Sequence, residues 1–318
     1  METIQAKADC STPQLVTKTT GPPFDTIKVS TCIKFDDAII IIPEYLYDAT
    51  DPMFGGNSPR GGANITGVIG NYIEAVFKFA FLKNKITELT LPKVEVIGES
   101  AFQDNFITKL SLPKVNKIDE RAFYNNVITE LSLPEVIGIK VSAFQDNFIT
   151  KLSLPKVQTI EGSAFRNNKI SEVNLPNAIT IGSYAFMDNE ISELSLPEVT
   201  QIATEAFRNN NITKLILPKV TRITNNAFKD NPISEMYFGS GTVVNTGLNV
   251  EPFPAPIDKS NVKVYLPDDE TLGRYQASAY WSLFDLTVGL PPVPPDSKVM
   301  KIKQIRIKQG KVEIRPRK

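Results

Sequence analysis

The sequence "SAFQDNFITKLSLPKV" occurs at Ser100–Val115 and again, letter for letter, at Ser142–Val157. The copies lie 42 residues apart, and this spacing is twice a shorter period of 21 residues. An Ala-Phe pair recurs eight times at the shorter period, with no insertion or deletion. A strict period of this length predicts a solenoid, in which each unit stacks on the next. Each unit is numbered from its Phe: Phe81, Phe102, Phe123, Phe144, Phe165, Phe186, Phe207 and Phe228.

Fixed positions within the unit indicate a strand and a turn. Positions 9 and 11 are apolar in every unit, and position 12 is Pro in the first seven. Alternate residues of a strand point to opposite faces, so positions 9 and 11 should face the core and positions 8 and 10 the solvent. Pro ends the strand because it lacks an N–H. Position 4 is Asn throughout, and we predict that its amide hydrogen-bonds turn backbone groups that would otherwise be buried without partners.

The unit "AFxxNxIxxLxLPxVxxIxxxA" resembles the BspA-like leucine-rich repeat, a family of surface proteins that are often bacterial. The segment Val262–Gly289 is similar to the strand–helix–strand cap that follows such arrays. The resemblance implies an α/β-type leucine-rich-repeat solenoid, mostly β and loop, with a binding or adhesive role and no fixed ligand. It also implies an extracellular or cell-surface location. The period of 21 residues is slightly shorter than in many members of the family.

We expect four regions along the 318 residues. Residues 1–59 form a β-rich N-terminal cap, and residues 60–248 form the array of eight units preceded by one degenerate unit. Residues 249–289 form the C-terminal cap, and residues 290–318 form a Pro-rich linker with a basic β-hairpin. The degenerate unit keeps the period, because Ile65, Val68, Ile73, Val76 and Ala80 occupy positions 6, 9, 14, 17 and 21.

Composition argues against most kinds of enzyme. The chain has no His and only two Cys, which excludes Ser-His-Asp and Cys-His catalysis, His-ligated zinc and four-cysteine zinc sites. It has no Gly-rich phosphate-binding motif. The acidic run Asp268–Glu270 is interpreted as the start of a helix rather than a metal site. We therefore predict no catalytic residue, no metal and no cofactor, with a carboxylate-pair hydrolase as the enzymatic alternative.

Charge is balanced overall but concentrated at the C-terminus. Lys and Arg together equal Asp and Glu at 35 each, yet residues 296–318 contain nine basic and two acidic residues. This basic hairpin is interpreted either as a solvated ribbon or as a contact for an anionic surface or a partner protein. It lacks aromatic residues that would stack on bases, so no nucleic-acid partner is expected. No apolar stretch is long enough for a transmembrane helix, and the N-terminus lacks the hydrophobic stretch of a signal peptide.

Two groups of residues are candidate ligand-binding sites. Position 5 should face outward, yet it is apolar in three consecutive units, at Phe106, Val127 and Phe148, between Lys85 and Lys169. Exposed apolar patches mark interaction sites; the alternative is that the rings fold back onto the edge of the core. Position 10 is polar until the last two units, where it is Ile216 and Tyr237 and predicts a second apolar spot.

Two columns of polar residues are interpreted as stabilising the stack. Position 8 alternates Glu and Lys over much of the array, which predicts a ladder of opposite charges. Position 3 alternates Asp and Asn from Asp104 onward, which predicts that like charges avoid each other. Alternate Asp residues lie two units apart, too far to share a calcium ion.

Two functions fit this architecture. The first is an adhesin-type scaffold that recognises a protein or a glycan through its repeat surface. The second is a structural or assembly component of a larger particle, anchored by the basic C-terminal tail. Self-association through the apolar strip or the tail is compatible with either function.

Cys10 and Cys32 are expected to form a disulfide if the protein is extracellular, because small caps often need a covalent staple. Closing this loop should contribute about 3 kcal/mol to stability. Titration of free thiols in the oxidatively folded, unreduced protein tests the pairing, and two reactive thiols would contradict it.

Overall fold

Each 21-residue unit forms one turn of a solenoid with two short strands, and strands of successive turns pair in parallel. In this computed structural model the N-terminal strands are β1 (Gln14–Val16), β2 (Ile27–Phe35), β3 (Ala38–Pro43) and β4 (Ile65–Gly70). These four strands and two at the C-terminus are described by their backbone alone. Side chains are described for residues 75–76, 78–239, 243–246, 251–254 and 257–289.

The array contains two kinds of strand, which alternate along the chain. Odd-numbered strands lie at positions 16 and 17, and even-numbered strands begin at position 8. In chain order they are β5 (Ala75–Val76), β6 (Glu88–Thr90), β7 (Val96–Ile97), β8 (Lys109–Ser111), β9 (Lys117–Ile118), β10 (Glu130–Ser132), β11 (Gly138–Ile139), β12 (Lys151–Ser153), β13 (Thr159–Ile160), β14 (Glu172–Asn174), β15 (Thr180–Ile181), β16 (Glu193–Ser195), β17 (Gln201–Ile202), β18 (Lys214–Leu217), β19 (Arg222–Ile223) and β20 (Glu235–Phe238). The odd strands form one eight-stranded sheet, while the even strands form three successive sheets.

Turns close each unit on a third side, which carries its own hydrogen bonds between units. The N–H groups at positions 20, 1 and 3 donate to carbonyls of the next turn, as in the bonds from Phe102 to Ala122 (2.8 Å) and from Asp104 to Tyr124 (2.9 Å). Residues at positions 3 and 20 have positive φ angles, and those at position 3 lie between 52° and 59°. Asn and Asp tolerate this left-handed conformation better than most residues, which explains why they occupy position 3.

The core is a column of phenylalanine rings along the solenoid axis. The eight Phe residues at position 1 are buried, and adjacent rings stack with centroids 5.1–5.5 Å apart. Phe253 covers the last ring, Phe228, at 5.3 Å, although it falls four residues beyond the next position of the repeat. Burial of these rings and of the aliphatic positions around them is the main favourable term for stacking.

The position 4 asparagines form a second buried column and confirm the predicted structural role. From Asn105 to Asn231, each Oδ1 accepts the N–H of Ile at position 6 in the preceding unit, at 3.0–3.2 Å. Each Nδ2 donates to the Phe carbonyl of the preceding unit at 2.8–2.9 Å. The same Nδ2 also lies within hydrogen-bond distance of its own unit's Phe carbonyl. Each amide therefore links two turns through backbone groups that lie in the core.

The N-terminal strands extend the sheet of even-numbered strands. β2 pairs antiparallel with β1, β3 and β4, and β4 pairs in parallel with β6. In this register Val68 lies opposite Leu89, and on the other side Val76 lies opposite Ile97. The degenerate unit thus stacks in the predicted register. Cys10 and the side chain of Cys32 lie outside the described residues, so the disulfide stays a prediction.

A strand–helix–strand segment follows the array. It consists of β21 (Lys263–Leu266), α1 (Asp269–Gln276) and β22 (Asp285–Val288), and its strands continue the parallel sheet beyond β20. Short 3₁₀ turns lie at Lys259–Asn261 and Trp281–Leu283. The Asp268 carboxylate accepts the N–H of Thr271 at 2.7 Å, which confirms the predicted helix cap. The buried Trp281 donates through Nε1 to the Val244 carbonyl at 2.9 Å.

Near the C-terminus, β23 (Ile302–Lys308) and β24 (Lys311–Pro316) pair antiparallel, as the sequence predicts. Within the ranges described, no helix has the length and apolar character required to cross a membrane.

Candidate functional site

A groove of about 510 Å³ runs along the third side of the solenoid, where the turns at positions 3 to 5 of successive units lie next to one another. Its volume lies in the range of ligand-binding clefts. The groove is lined by Lys83, Asp104, Asn105, Phe106, Asn125, Asn126, Val127, Asp146, Asn147, Phe148, Asn167 and Lys169. It therefore contains the three apolar residues that the sequence predicted at position 5.

The two phenylalanine rings of the groove are exposed. Phe106 is 55% exposed and Phe148 is 49% exposed, while Val127 between them is half-buried. Position 5 lies between the buried Asn of position 4 and the buried Ile of position 6, so its side chain has no access to the core. The alternative that the rings fold back onto the core edge is therefore wrong. Phe106, Val127 and Phe148 are called the apolar strip below.

A row of polar side chains runs beside the apolar strip. Asn125 donates to Asp104 at 2.8 Å, and Asn167 donates to Asp146 at 2.7 Å. The same pairing recurs outside the groove, where Asn209 donates to Asp188 at 2.9 Å. An Asn amide thus lies between successive Asp carboxylates and donates to one of them. This confirms the prediction that the alternation keeps like charges apart.

Each groove carboxylate is also held from its own unit. Gln103 donates to Asp104 at 3.1 Å, and Gln145 donates to Asp146 at 3.3 Å. A hydrogen bond to Asp146 raises the pKa of the Tyr124 hydroxyl, because loss of the phenol proton would place two negative charges side by side. These contacts fix the carboxylates in the wall of the groove.

Lysines lie at the two ends of the groove. Lys169 is exposed and lies 3.5 Å from Glu190 in the next unit, as the sequence placed it. At the other end the lining residue is Lys83, at position 3, rather than the predicted Lys85. Lys83 was not predicted because the strip was inferred from position 5 alone, whereas residues at positions 3 and 4 also line the groove.

A family model described as BspA type Leucine rich repeat region matches six copies in this chain, over residues 74–189 and 137–248. The matched residues cover more than half of the chain. The chain belongs to the BspA-type leucine-rich-repeat family.

Two solved structures resemble this BspA-type chain. The pneumococcal vaccine antigen PcpA is 19% identical in sequence, and the superposition has a TM-score of 0.36. The alignment covers 69% of this chain and 72% of the PcpA chain. A leucine-rich repeat protein from Bacteroides ovatus is 15% identical, covers 58% of this chain and 69% of its own, and has a TM-score of 0.26. No curated protein matches the sequence.

The second predicted site of the BspA-type array, at Ile216 and Tyr237, is not an open apolar spot. Tyr265 of β21 stacks on Tyr237 with ring centroids 4.4 Å apart, and only 7% of Tyr237 is exposed. Burial, together with a hydrogen bond to Glu235, raises the pKa of Tyr237 to about 12. Ile216 is half-buried beside this pair. The expectation of an exposed Tyr237 was wrong because the cap strand continues the sheet over its ring.

The position 8 column of the BspA-type array forms the predicted ion pairs at several steps. Lys109 lies 2.9 Å from Glu88, Lys151 lies 2.8 Å from Glu172, and Lys214 lies 3.8 Å from Glu235. Exposed ion pairs contribute little to stability. The column has five Glu and three Lys, so the pairs mainly offset part of its negative charge. Among the side chains described, no group of three or more His, Cys, Asp or Glu residues is placed to hold a metal ion.

Proposed function

We propose that this protein is a non-enzymatic, adhesin-type binding scaffold, secreted or at the cell surface, that holds its ligand in the groove along the apolar strip. The observation that carries the proposal is the exposure of Phe106 and Phe148 in a groove whose other walls are polar. An apolar centre with a polar rim is the usual composition of an interface. Membership of the BspA-type family is consistent with a binding role.

The groove is rigid, which favours binding. Phe106 and Phe148 each donate their N–H to the preceding turn, at 3.0 Å in both cases. The neighbouring Asn105 and Asn147 are tied into the buried amide column. The backbone that carries the two rings is therefore already in place, and no backbone entropy has to be lost there when a ligand binds.

The double substitution Phe106→Ser with Phe148→Ser should weaken ligand binding by more than about 1 kcal/mol, the usual threshold for an interface residue that matters. It should leave the free energy of unfolding nearly unchanged, because both rings face solvent. The measurement is the binding of the full chain to immobilised extracellular material, with thermal unfolding in parallel. Ile137→Ser is the matched control, because Ile137 is 54% exposed beside the odd-numbered strands, outside the groove.

Unchanged binding by the double variant would contradict a role for the groove. If truncation after Gly289 removed binding while the double variant bound normally, the result would favour assembly through the basic tail instead.

A further inference from the structure

Two similar constellations lie along the groove, each built from one copy of the verbatim repeat and the Asn at position 3 of the unit that follows it. In the first copy Gln103 and Asn125 donate to Asp104, beside the exposed ring of Phe106. In the second copy Gln145 and Asn167 donate to Asp146, beside Phe148. The two constellations lie two turns apart, about 10 Å. The two subsites differ in the Tyr124 hydroxyl, which bonds to Asp146. They share the ring, the carboxylate and the two amides, and such similar subsites at a fixed spacing suit a ligand that presents the same group twice, which is a polymer of identical units.

Beside the two rings, the backbone donors at positions 3 and 5 are already bonded. In both subsites the N–H at position 3 bonds to the next turn, from Asp104 to Tyr124 at 2.9 Å and from Asp146 to Arg166 at 3.0 Å. The N–H at position 5 bonds to the preceding turn. Peptides that bind as an added strand depend on free main-chain groups at a sheet edge. At the two rings, recognition therefore rests on side chains.

Charge in the groove argues against an anionic polymer. The Asp104 and Asp146 carboxylates lie along its centre, whereas Lys83 and Lys169 lie at its ends and Lys169 is paired with Glu190. A polyanion laid along the strip would pass directly over both carboxylates, where repulsion is strongest.

The size of the apolar strip also argues against a second copy of this chain. Two half-exposed phenyl rings offer about 200 Å² of surface. A stable protein interface needs about 800 Å² on each partner. A narrow ligand fits this strip, whereas a protein surface would need further apolar contacts beside it.

We propose that the groove binds an extended, neutral polysaccharide, with one sugar ring stacked on Phe106 and another on Phe148. This inference rests on the binding function proposed above and names its ligand class. A pyranose has an apolar C–H face that packs on a phenyl ring and hydroxyl groups at its edge. Those hydroxyls donate to the Asp carboxylates and accept from the Gln and Asn amides. In an extended polysaccharide with equatorial linkages, every second sugar presents the same face to the groove, so two such sugars can stack on the two phenyl rings.

The experiment measures binding of the full chain to neutral oligosaccharides by calorimetry. The probes are the cello-, xylo-, manno- and chito-oligosaccharide series, from mono- to hexasaccharide, with malto-oligosaccharides as a helical control. At least one extended series should bind, and its affinity should rise about a hundredfold once the chain spans both subsites. Phe106→Ser alone should remove this rise, the double variant should abolish binding, and Ile137→Ser should bind as the unaltered protein does.

Three results would overturn the inference: no extended series binds, binding shows no dependence on length, or the double variant binds as well as the unaltered protein. A parallel arm separates this inference from the binding function itself. In this arm the extracellular material is treated with protease or with periodate before binding is measured. If the double variant loses attachment, and protease but not periodate treatment of the material abolishes binding of the unaltered protein, the ligand is a protein. Only the polysaccharide inference then fails. If attachment does not depend on the two rings at all, both proposals fail.

Discussion

Replacement of Phe165 by alanine should lower the free energy of unfolding by about 4 kcal/mol. Phe165 is fully buried in the middle of the ring column, with its centroid 5.5 Å from that of Phe144 and 5.5 Å from that of Phe186. The substitution removes the transfer free energy of the ring and both aromatic contacts. It also leaves a cavity that hydrogen bonds on all three sides of the solenoid keep from collapsing.

The matched control is Phe148→Ala, the same chemical change at an exposed ring. It should alter stability by less than about 0.5 kcal/mol, as surface substitutions usually do. Urea unfolding followed by circular dichroism measures both variants against the unaltered chain. Equal destabilisation by the two substitutions would show that Phe148 in the apolar strip is as buried as Phe165 in the ring column.

Asn147→Ala should destabilise the protein by about 1–3 kcal/mol. The Asn147 amide accepts the Ile128 N–H at 3.2 Å and donates to the Phe123 carbonyl at 2.9 Å, and all three residues are buried. Alanine replaces neither bond, so the Ile128 N–H is left without a partner in the core and the Phe123 carbonyl keeps only the longer bond from Asn126, at 3.3 Å. The large effect follows from the loss of hydrogen bonds between two turns rather than from loss of apolar contact.

Asn174→Ala is the control for this second prediction. Asn174 lies on the solvent face of β14, where its amide donates to the Ser153 hydroxyl at 3.2 Å, and water can replace that contact. The change should cost less than about 0.5 kcal/mol. The same urea titration compares the two variants, and an unchanged midpoint for Asn147→Ala would show that the amide column is not needed for stability.

The architecture separates residues that hold the fold from residues that vary on its surface. Positions 1, 4 and 6 keep Phe, Asn and Ile in all eight units because they fill the same buried space in every turn. Position 5 lies between two of them and carries Lys, Phe, Val, Glu, Asn or Pro, because its side chain points to solvent. A new ligand surface can therefore arise at position 5 without disturbing the core.

The period, the solenoid, the buried face of each unit and the structural role of Asn at position 4 could all be predicted from the sequence. This is possible because every inner unit packs between two near-copies of itself, so the same packing and the same hydrogen bonds recur in every turn. For the same reason Val68 of the degenerate unit lies opposite Leu89, since both residues occupy position 9.

Other features could not be predicted from the sequence, because they depend on contacts between parts of the chain that the repeat period does not relate. Phe253 covers Phe228 although it is four residues out of register, and Tyr265 covers Tyr237 because the cap strand continues the sheet. The exposure of Phe106 and Phe148 was likewise undecided, since an outward position can still be covered by a neighbouring turn. Spacing along the chain specifies contacts between equivalent positions, whereas burial at an end or an edge depends on what packs there in three dimensions.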